Sequence, residues 1–200
     1  MSIAAQVSLT AVEAESDPST VDIAAAESAV ADLLRAFGRD LDDPGLADTP
    51  RRVVASLHEL TSSAPFSLTT FPNDEGYDEL VIVRDIPFVS LCEHHLLPFR
   101  GVAHVGYVPG ERIVGLSKLA RVVELFAHDL QVQERLTTQV ADHLEACLAP
   151  RGVGVVLEAE HMCMSLRGVH STGATTVTRA FRGTVRDDES LRAHFSPHAG

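Results

Sequence analysis

Residues 80–110 decide the fold, and they read LVIVRDIPFVSLCEHHLLPFRGVAHVGYVPG. Leu80–Leu91 is apolar and rich in β-branched side chains, which predicts a strand, and Pro87 predicts a bend within it. Val102–Val108 alternates weakly between polar and apolar residues and predicts the partner strand. The cluster Cys92-Glu93-His94-His95 consists of metal-ligating residue types and falls directly after the first of these strands.

The remainder of the chain alternates between helical and extended patterns. Two N-terminal segments, about 23–37 and 49–60, carry apolar residues at helical spacing. Gly38 predicts the end of the first helix, and Asp48-Thr49-Pro50 predicts the start of the second. A long loop is expected at 61–78. The later predictions are strands at 113–115, 152–160 and 175–185, and helices at about 117–130 and 133–148. This order predicts an α+β fold, with an antiparallel sheet that carries helices on one face.

A length of 200 residues suits one domain with a tail. Residues 1–20 show no lasting periodicity and are predicted to be a disordered tail. Residues 21–200 are predicted to be a single domain, with a helical part at about 21–75 and a sheet-containing part at about 76–195. No apolar run reaches about 18 residues, so no membrane helix is expected.

The expected compartment is the reducing cytoplasm. No basic residue precedes Arg35, so no secretory signal peptide is expected. Three cysteines, an odd number, argue against a framework of disulfide bonds.

The net charge of −12 argues against a nucleic-acid binder, because neutralising a phosphate backbone requires clustered lysine and arginine. The charge is unevenly distributed. Residues 1–48 hold ten acids and two arginines, a balance of −8, whereas residues 49–200 hold 18 acids and 14 bases, a balance of −4. Of the 16 basic residues, 15 are arginine, and Lys118 is the only lysine. A nucleotide held by a few local cations is compatible with this distribution.

Cys92 and His95 form a Cys-x-x-His step, from which a thiolate and an imidazole can converge on one ion. Cys163, at the end of another predicted strand, is the natural third ligand. Three protein ligands with one open position are typical of catalytic rather than structural zinc. Spacing alone supports the metal site and a set of unconnected core or surface residues about equally. Cys147 falls on the apolar face of a helix and is predicted to be a small buried residue.

Other polar residues near this cluster allow a structural and a functional interpretation. His94 and His161 are spare imidazoles that can transfer protons or orient a metal ligand. Lys118 lies at a helix start that suits a phosphate, although a solvated helix face is the simpler interpretation. Glu134 either stabilises the start of the next helix or accepts the paired N–H donors of a purine edge. Arg167 can reach whatever the metal binds, and arginine is well suited to phosphate.

Five ordered blocks of sequence carry a resemblance to a known family. They are Asp48–Val53, Leu91–Phe99, Gly115–Arg121, Gln131–Leu136 and Glu160–Gly168. Together they resemble GTP cyclohydrolase I, and the resemblance runs from about residue 22 to about residue 195. Two stretches depart from the usual pattern without removing a ligand or a proposed acid: Arg100-Gly101 and His170-Ser171-Thr172-Gly173.

The resemblance implies a tunnelling fold, an antiparallel sheet with two long helices on one face and an N-terminal helical extension. It implies a homodecamer of two stacked pentameric rings, with active sites between subunits. It also implies the conversion of GTP and water to formate and 7,8-dihydroneopterin triphosphate, the first step of tetrahydrofolate and pterin biosynthesis.

The resemblance also implies roles for individual residues. Zn²⁺ is expected on Cys92, His95 and Cys163. His161 is expected to donate a proton to the purine ring, with His94 assisting at the metal and ribose end.

Substrate contacts follow from the same resemblance. Glu134 is expected to hold the guanine N–H edge, with Gln133 beside it. The residues expected at the triphosphate and nearby substrate atoms are Ser117, Lys118, Arg121, Arg167 and, from a neighbouring subunit, Arg52.

Two other functions remain compatible with the sequence. One is a related enzyme that uses the same zinc on another purine nucleotide or stops at a ring-opened product. The other is a zinc-stabilised oligomer that binds nucleotide without turnover, although such a scaffold does not need His94 and His161 beside an open metal position.

Overall fold

The structure, a computed structural model, describes residues 21–196. The predicted tail at 1–20 lies outside the described residues, as do the last four. The helices are α1 (Ile23–Ala36), α2 (Thr49–Thr61), α3 (Leu116–Ala127), α4 (Gln133–Leu148), α5 (Met162–Ser165), α6 (Gly183–Asp187) and α7 (Glu189–Ala193). The strands are β1 (Thr70–Pro72), β2 (Val81–Cys92), β3 (Pro98–Val108), β4 (Arg112–Val114), β5 (Leu130–Gln131), β6 (Gly152–His161) and β7 (Thr175–Arg182).

The main sheet has the strand order β5-β2-β3-β6-β7, and β1 pairs with β4 in a separate two-stranded sheet. The pairings β2–β3, β3–β6 and β6–β7 are antiparallel, which confirms the α+β prediction. The prediction of a purely antiparallel sheet is wrong at one edge, where β5 runs parallel to β2. A parallel pair requires a crossover connection, and here the chain passes through β3, β4 and α3 before it returns to β2.

The predicted bend in β2 is a bulge. The register with β3 shifts between Val83 and Ile86, and Asp85 has a φ of 54°. Pro87 lies beyond the bulge and is paired with Val102. Beside Pro87 the side of β2 away from β3 is an open edge, because β5 covers β2 only at Leu91 and Cys92, and edge positions tolerate proline.

Helices α3 and α4 cover one face of the sheet. Their buried side chains, including Leu119, Val122, Leu136 and Leu144, share one core with residues of β2, β3, β6 and β7. On the opposite face, Phe195 is 2% exposed and packs with Val108, Val156 and Val185. The Phe195 ring occupies the space that a side chain at Gly154 would need, so the C-terminal segment is held against the sheet by this glycine.

Several predicted boundaries hold and others do not. Gly38 follows α1 with a φ of 72°, and Pro50 lies in the first turn of α2, as predicted. The strand predicted to reach Val185 ends at Arg182, because Gly183, at φ 52°, turns the chain into α6. The elements β1, β5, α5, α6 and α7 were not predicted from sequence. Within residues 21–196 no helix is long and apolar enough to cross a membrane.

Candidate metal centre and active site

The sheet register brings the two halves of the predicted site to one end of three strands. Cys92 ends β2, and His161 ends β6. Strand β3 lies between them, and its residue Phe99 is paired with Ser90 on one side and with His161 on the other. The Cys-x-x-His turn between β2 and β3 therefore lies beside Cys163, which follows β6 in α5.

Three donor atoms, one each from Cys92, His95 and Cys163, converge at this end of the sheet, and these three residues form the metal group. The ligating atoms of Cys92, His95 and Cys163 all lie within 4.8 Å of one another, and Cys92 Sγ is 3.8 Å from His95 Nδ1. Tetrahedral zinc with bonds of about 2.3 Å to sulfur and about 2.0 Å to nitrogen would separate two such ligands by about 3.5 Å. Two thiols and one imidazole at these distances fit zinc, and three protein ligands leave one position open.

The backbone makes the turn that presents these ligands. The N–H of Cys92 donates to the carbonyl of Leu97 at 2.9 Å, and the N–H groups of His95 and Leu96 donate to the carbonyl of Cys92 at 3.2 and 2.9 Å. Leu96 has a φ of 53°, so the turn is closed by a left-handed residue. Cys92 is buried, whereas His95 is exposed and open to an incoming ligand.

The surroundings of the Cys163 thiol favour its protonated form. Burial raises the pKa of the Cys163 thiol, and the neighbouring Cys92 raises it further. The charge of Arg167 acts in the opposite direction and lowers the pKa of this thiol. Since metals bind the thiolate, a cation that enters this group must displace a proton.

The structure distinguishes between the two adjacent histidines. Nδ1 of His94 and Nδ1 of His95 are both 3.8 Å from Cys92 Sγ, so this distance does not separate them. Only His95 belongs to the group that also contains Cys163. The His94 side chain is 61% exposed and its Nε2 lies 3.8 Å from Glu93. His94 is thus an exposed imidazole beside the metal group, free to meet a substrate.

His161 lies on the other side of the group, half-buried. Its ring stacks on Phe99 with a centroid distance of 4.6 Å and an interplanar angle of 4°, and its Nε2 is 2.7 Å from Gln133 Oε1. Burial lowers the pKa of His161, and the charge of Glu134 raises it in part. Helix α4 begins at Gln133, so its first turn brings Gln133 and Glu134 to the metal end of the sheet.

An ion pair that was not predicted from sequence joins α4 to the Cys-x-x-His turn between β2 and β3. Arg135 Nη2 is 2.6 Å from Glu93 Oε2 and also donates to the carbonyl of Leu130 at 2.6 Å. Arg135 Nε donates to Gln131 Oε1 at 3.0 Å. Both members of the pair adjoin residues that were singled out, Cys92 and Glu134, and this adjacency is the signal that could have identified them.

The basic residues predicted to bind the triphosphate do not all lie beside the metal group. Lys118 Nζ donates to the carbonyl of Ser67 at 2.9 Å and lies 5.6 Å from the centre of the Phe66 ring. Arg121 lines a cavity of about 270 Å³ with residues 63–66, Glu124 and Leu125, and none of the metal-group residues lines it. These two cations therefore adjoin the loop before β1 within one chain.

The other predicted cations and the third cysteine lie elsewhere. Arg167 is exposed just after α5. Arg52, on α2, pairs with Asp48 at 3.4 Å, and both side chains are exposed. Cys147 is only partly buried, which corrects the prediction of a buried residue, and its Sγ lies 3.8 and 3.9 Å from the ring nitrogens of His143.

The chain is similar to known proteins. A family model described as GTP cyclohydrolase I matches residues 26–199. The chain is 54% identical over 177 residues to a Mycolicibacterium gilvum protein named GTP cyclohydrolase 1, covering 86% of this chain and 88% of that protein. It is 50% identical over 190 residues to GTP cyclohydrolase 1 of a Synechococcus species, covering 93% of this chain and 83% of that protein.

A solved structure is also similar. The crystal structure of the archaeosine synthase QueF-Like in the apo form matches with a TM-score of 0.44 at 17% identity, covering 53% of this chain and 95% of that chain. A TM-score this low supports no conclusion about the fold.

Proposed function

The chain belongs to the GTP cyclohydrolase I family, and we propose that it converts GTP and water to formate and 7,8-dihydroneopterin triphosphate. The observation that carries the proposal is the convergence of Cys92, His95 and Cys163 within 4.8 Å, beside two further imidazoles. An open metal position next to proton-transfer groups suits a hydrolytic reaction better than a purely structural site.

We propose that the metal is Zn²⁺, held by these three residues, because two thiolates and one imidazole are a preferred zinc donor set. A zinc ion held by these residues would supply Lewis-acid chemistry that makes hydroxide available at neutral pH for the hydrolysis. The protein supplies the remaining requirements of the reaction, which are orientation of the purine, proton transfer and charge neutralisation at the triphosphate.

In this mechanism Glu134 accepts the two N–H donors on the pyrimidine edge of guanine and so sets the register of the purine. His161, held against Phe99, donates a proton to the ring nitrogen released when the imidazole ring opens. Exposed His94 assists on the opposite side, at the metal and ribose end. Support for these assignments comes from the sheet register, which brings the turn with His94, the end of β6 with His161 and the first turn of α4 to one end of the sheet. The charge of Glu134 there raises the pKa of His161.

Triphosphate binding is assigned to the cations near the start of α3 and after α5, namely Lys118, Arg121 and Arg167, with Ser117 as a further contact. Lys118 is suited to this task although it already donates to Ser67, because an ammonium group has three donors and two remain for phosphate oxygens. The contact with Ser67 also restricts the long side chain, which lowers the entropy lost when phosphate binds.

We further propose that residues 21–200 form one domain with the tunnelling fold and assemble as a decamer in the cytoplasm. Arg52 would then reach the triphosphate of a neighbouring subunit. Its only ion-pair partner within the described residues is the exposed Asp48, at 3.4 Å, and such a pair costs little to exchange for phosphate.

The proposed function is tested by incubating the purified protein with GTP and following two products. Formate should be released, and the second product should become fluorescent after oxidation to the pterin. A chelator should stop both, and added zinc should restore them. Recovery of only a formamide species, with no dihydroneopterin triphosphate, would contradict the proposal and favour an enzyme that stops after ring opening.

Replacement of Glu134 should weaken the recognition of guanine. In Glu134→Gln the carboxylate that accepts two N–H donors becomes a neutral amide, and a hydrogen bond to a charged group is worth about 1.5–3 kcal/mol. We therefore expect kcat/KM for GTP to fall by about 10- to 150-fold, with a smaller loss of the residual activity on other purine nucleotides. The measurement is a competition between GTP and ATP. Glu145→Gln, an exposed change on the same helix, is the control, and an unchanged preference for GTP would discard the assignment.

A further inference from the structure

Gln133 is nearly completely buried, with 1% of its surface exposed, although it was expected to contact the substrate. Its amide nitrogen Nε2 lies 3.2 Å from the carbonyl oxygen of Leu157 and 2.9 Å from that of Thr176. Nε2 also lies 3.1 Å from Thr178 Oγ1. Carbonyl oxygens only accept hydrogen bonds, so the nitrogen of the amide must face them. Rotating the amide by 180° would place its oxygen against two other oxygens.

The orientation of this amide determines the hydrogen on His161. With Nε2 of Gln133 fixed towards the carbonyls, its Oε1 faces His161 Nε2 at 2.7 Å. An amide oxygen can only accept, so the imidazole nitrogen must donate and must carry a hydrogen. In a neutral imidazole the other nitrogen, Nδ1, then holds the lone pair.

Two threonines extend this hydrogen-bond network, and their donors and acceptors can be assigned in the same way. Thr137 Oγ1 donates to the backbone carbonyl of Gln133 at 2.6 Å, which uses its only hydrogen. Thr178 Oγ1, 2.6 Å from Thr137 Oγ1, must therefore be the donor in that pair, so towards Gln133 it can only accept. The two amide hydrogens of Gln133 are then shared among Thr178 Oγ1 and the two carbonyl oxygens. The hydrogen bonds therefore all run in one order from donor to acceptor, and the last acceptor is the backbone carbonyl of Gln133. Reversing one of them would leave a buried polar group unpaired.

From this network we propose that Gln133 is a positioning residue that binds the Nε2–H of His161 and leaves Nδ1 as the ring nitrogen available to the substrate. Stacking on Phe99 fixes the plane of the imidazole ring. The hydrogen bond to Gln133 fixes how the ring is turned within that plane. The catalytic meaning of this arrangement rests on the proposed function. The tautomer follows from the hydrogen bonds alone.

The tautomer can be measured directly in the zinc-loaded wild-type protein. Nitrogen-15 NMR of histidine-labelled protein distinguishes a protonated ring nitrogen from one with a lone pair, and the His161 signals are assigned by their loss in His161→Asn. We expect a protonated Nε2 and an unprotonated Nδ1. A protonated Nδ1 with a bare Nε2 would overturn the proposal, and this readout does not depend on any activity.

Variants at position 133 test the consequence for catalysis. Gln133→Met keeps the approximate volume but removes the acceptor, so we expect a mixture of tautomers and a fall in kcat of about 10- to 100-fold with little change in KM for GTP. Gln133→Glu can retain the acceptor for His161 and, when protonated, one donor for Thr176. It should therefore recover part of the rate and the Nε2-protonated signal.

Gln131→Met is the matched control, because Gln131 is the same residue type, is also 1% exposed and bonds to Phe126, Gln139 and Arg135 instead of His161. It should leave the His161 tautomer unchanged. A Gln133→Met protein with wild-type kcat, or one in which KM alone rises, would contradict the positioning role. If the wild type does not turn over GTP, the proposed function fails, while the tautomer measurement still decides the role of Gln133.

Discussion

Cys163→Ala is expected to lose zinc and GTP turnover together while keeping its fold and assembly. Cys163 is one of the three proposed metal ligands, and the two that remain, Cys92 and His95, lie on a single turn. Replacing a residue that merely orients a metal ligand typically costs about 10- to 100-fold in metal affinity or activity. Removal of a direct ligand should exceed that loss. The side chain lies partly exposed at the edge of the core, so its truncation should affect stability little.

The measurements are metal content per subunit, GTP turnover and oligomer size. Cys147→Ala is the matched control, since Cys147 is also a partly buried cysteine but lies outside the metal group. The control should keep its zinc and its activity. Full activity of Cys163→Ala without bound metal would refute the zinc role, and an equal loss in the control would assign both effects to general damage.

His161→Asn should retain zinc and GTP but lose ring opening. A positioned acid or base typically contributes about 10²- to 10⁴-fold to a rate, and we expect a fall in kcat within that range. The three proposed metal ligands are untouched by the change, and neither Glu134 nor Lys118 is altered, so the affinity for GTP should persist. This pattern separates a proton-transfer role from a contribution to binding.

Equilibrium binding of GTP, metal content and formate release together test this prediction. His143→Asn is the control, because His143 is another partly buried histidine and lies on α4 outside the metal group. It should behave as wild type in all three measurements. Near-normal formate release by His161→Asn would transfer the proton-transfer role to His94.

Sequence patterns identified the elements that are long and locally encoded. The β-branched run before Cys92 predicted β2, and helical periodicity around Leu119 and Leu144 predicted α3 and α4. The short strands β5 and β1, of two and three residues, were not predicted because they exist only through pairing with distant segments. The end of β7 was placed too late because Val185 is apolar, yet it is buried from within α6 rather than from a strand.

The site shows the same division. The Cys-x-x-His spacing and the later Cys163 indicated three metal ligands, and the structure brings their donor atoms together. Sequence spacing did not separate His94 from His95 sharply as the ligand, and in the structure both lie equally close to Cys92. Only the proximity to Cys163 distinguishes His95. The pair of Glu93 and Arg135 was missed because its members lie 42 residues apart.

The sequence by itself determined the α+β class, the order of the long elements and the residue types of a candidate metal site, because these depend on local periodicity and short spacing. Only the tertiary structure decided how Gln133 is used. Its amide is oriented by carbonyls 24 and 43 residues away, and that orientation fixes the hydrogen on an imidazole 28 residues away. A hydrogen-bond direction depends on every partner at once, and these partners meet only when β6 and β7 pair beneath α4.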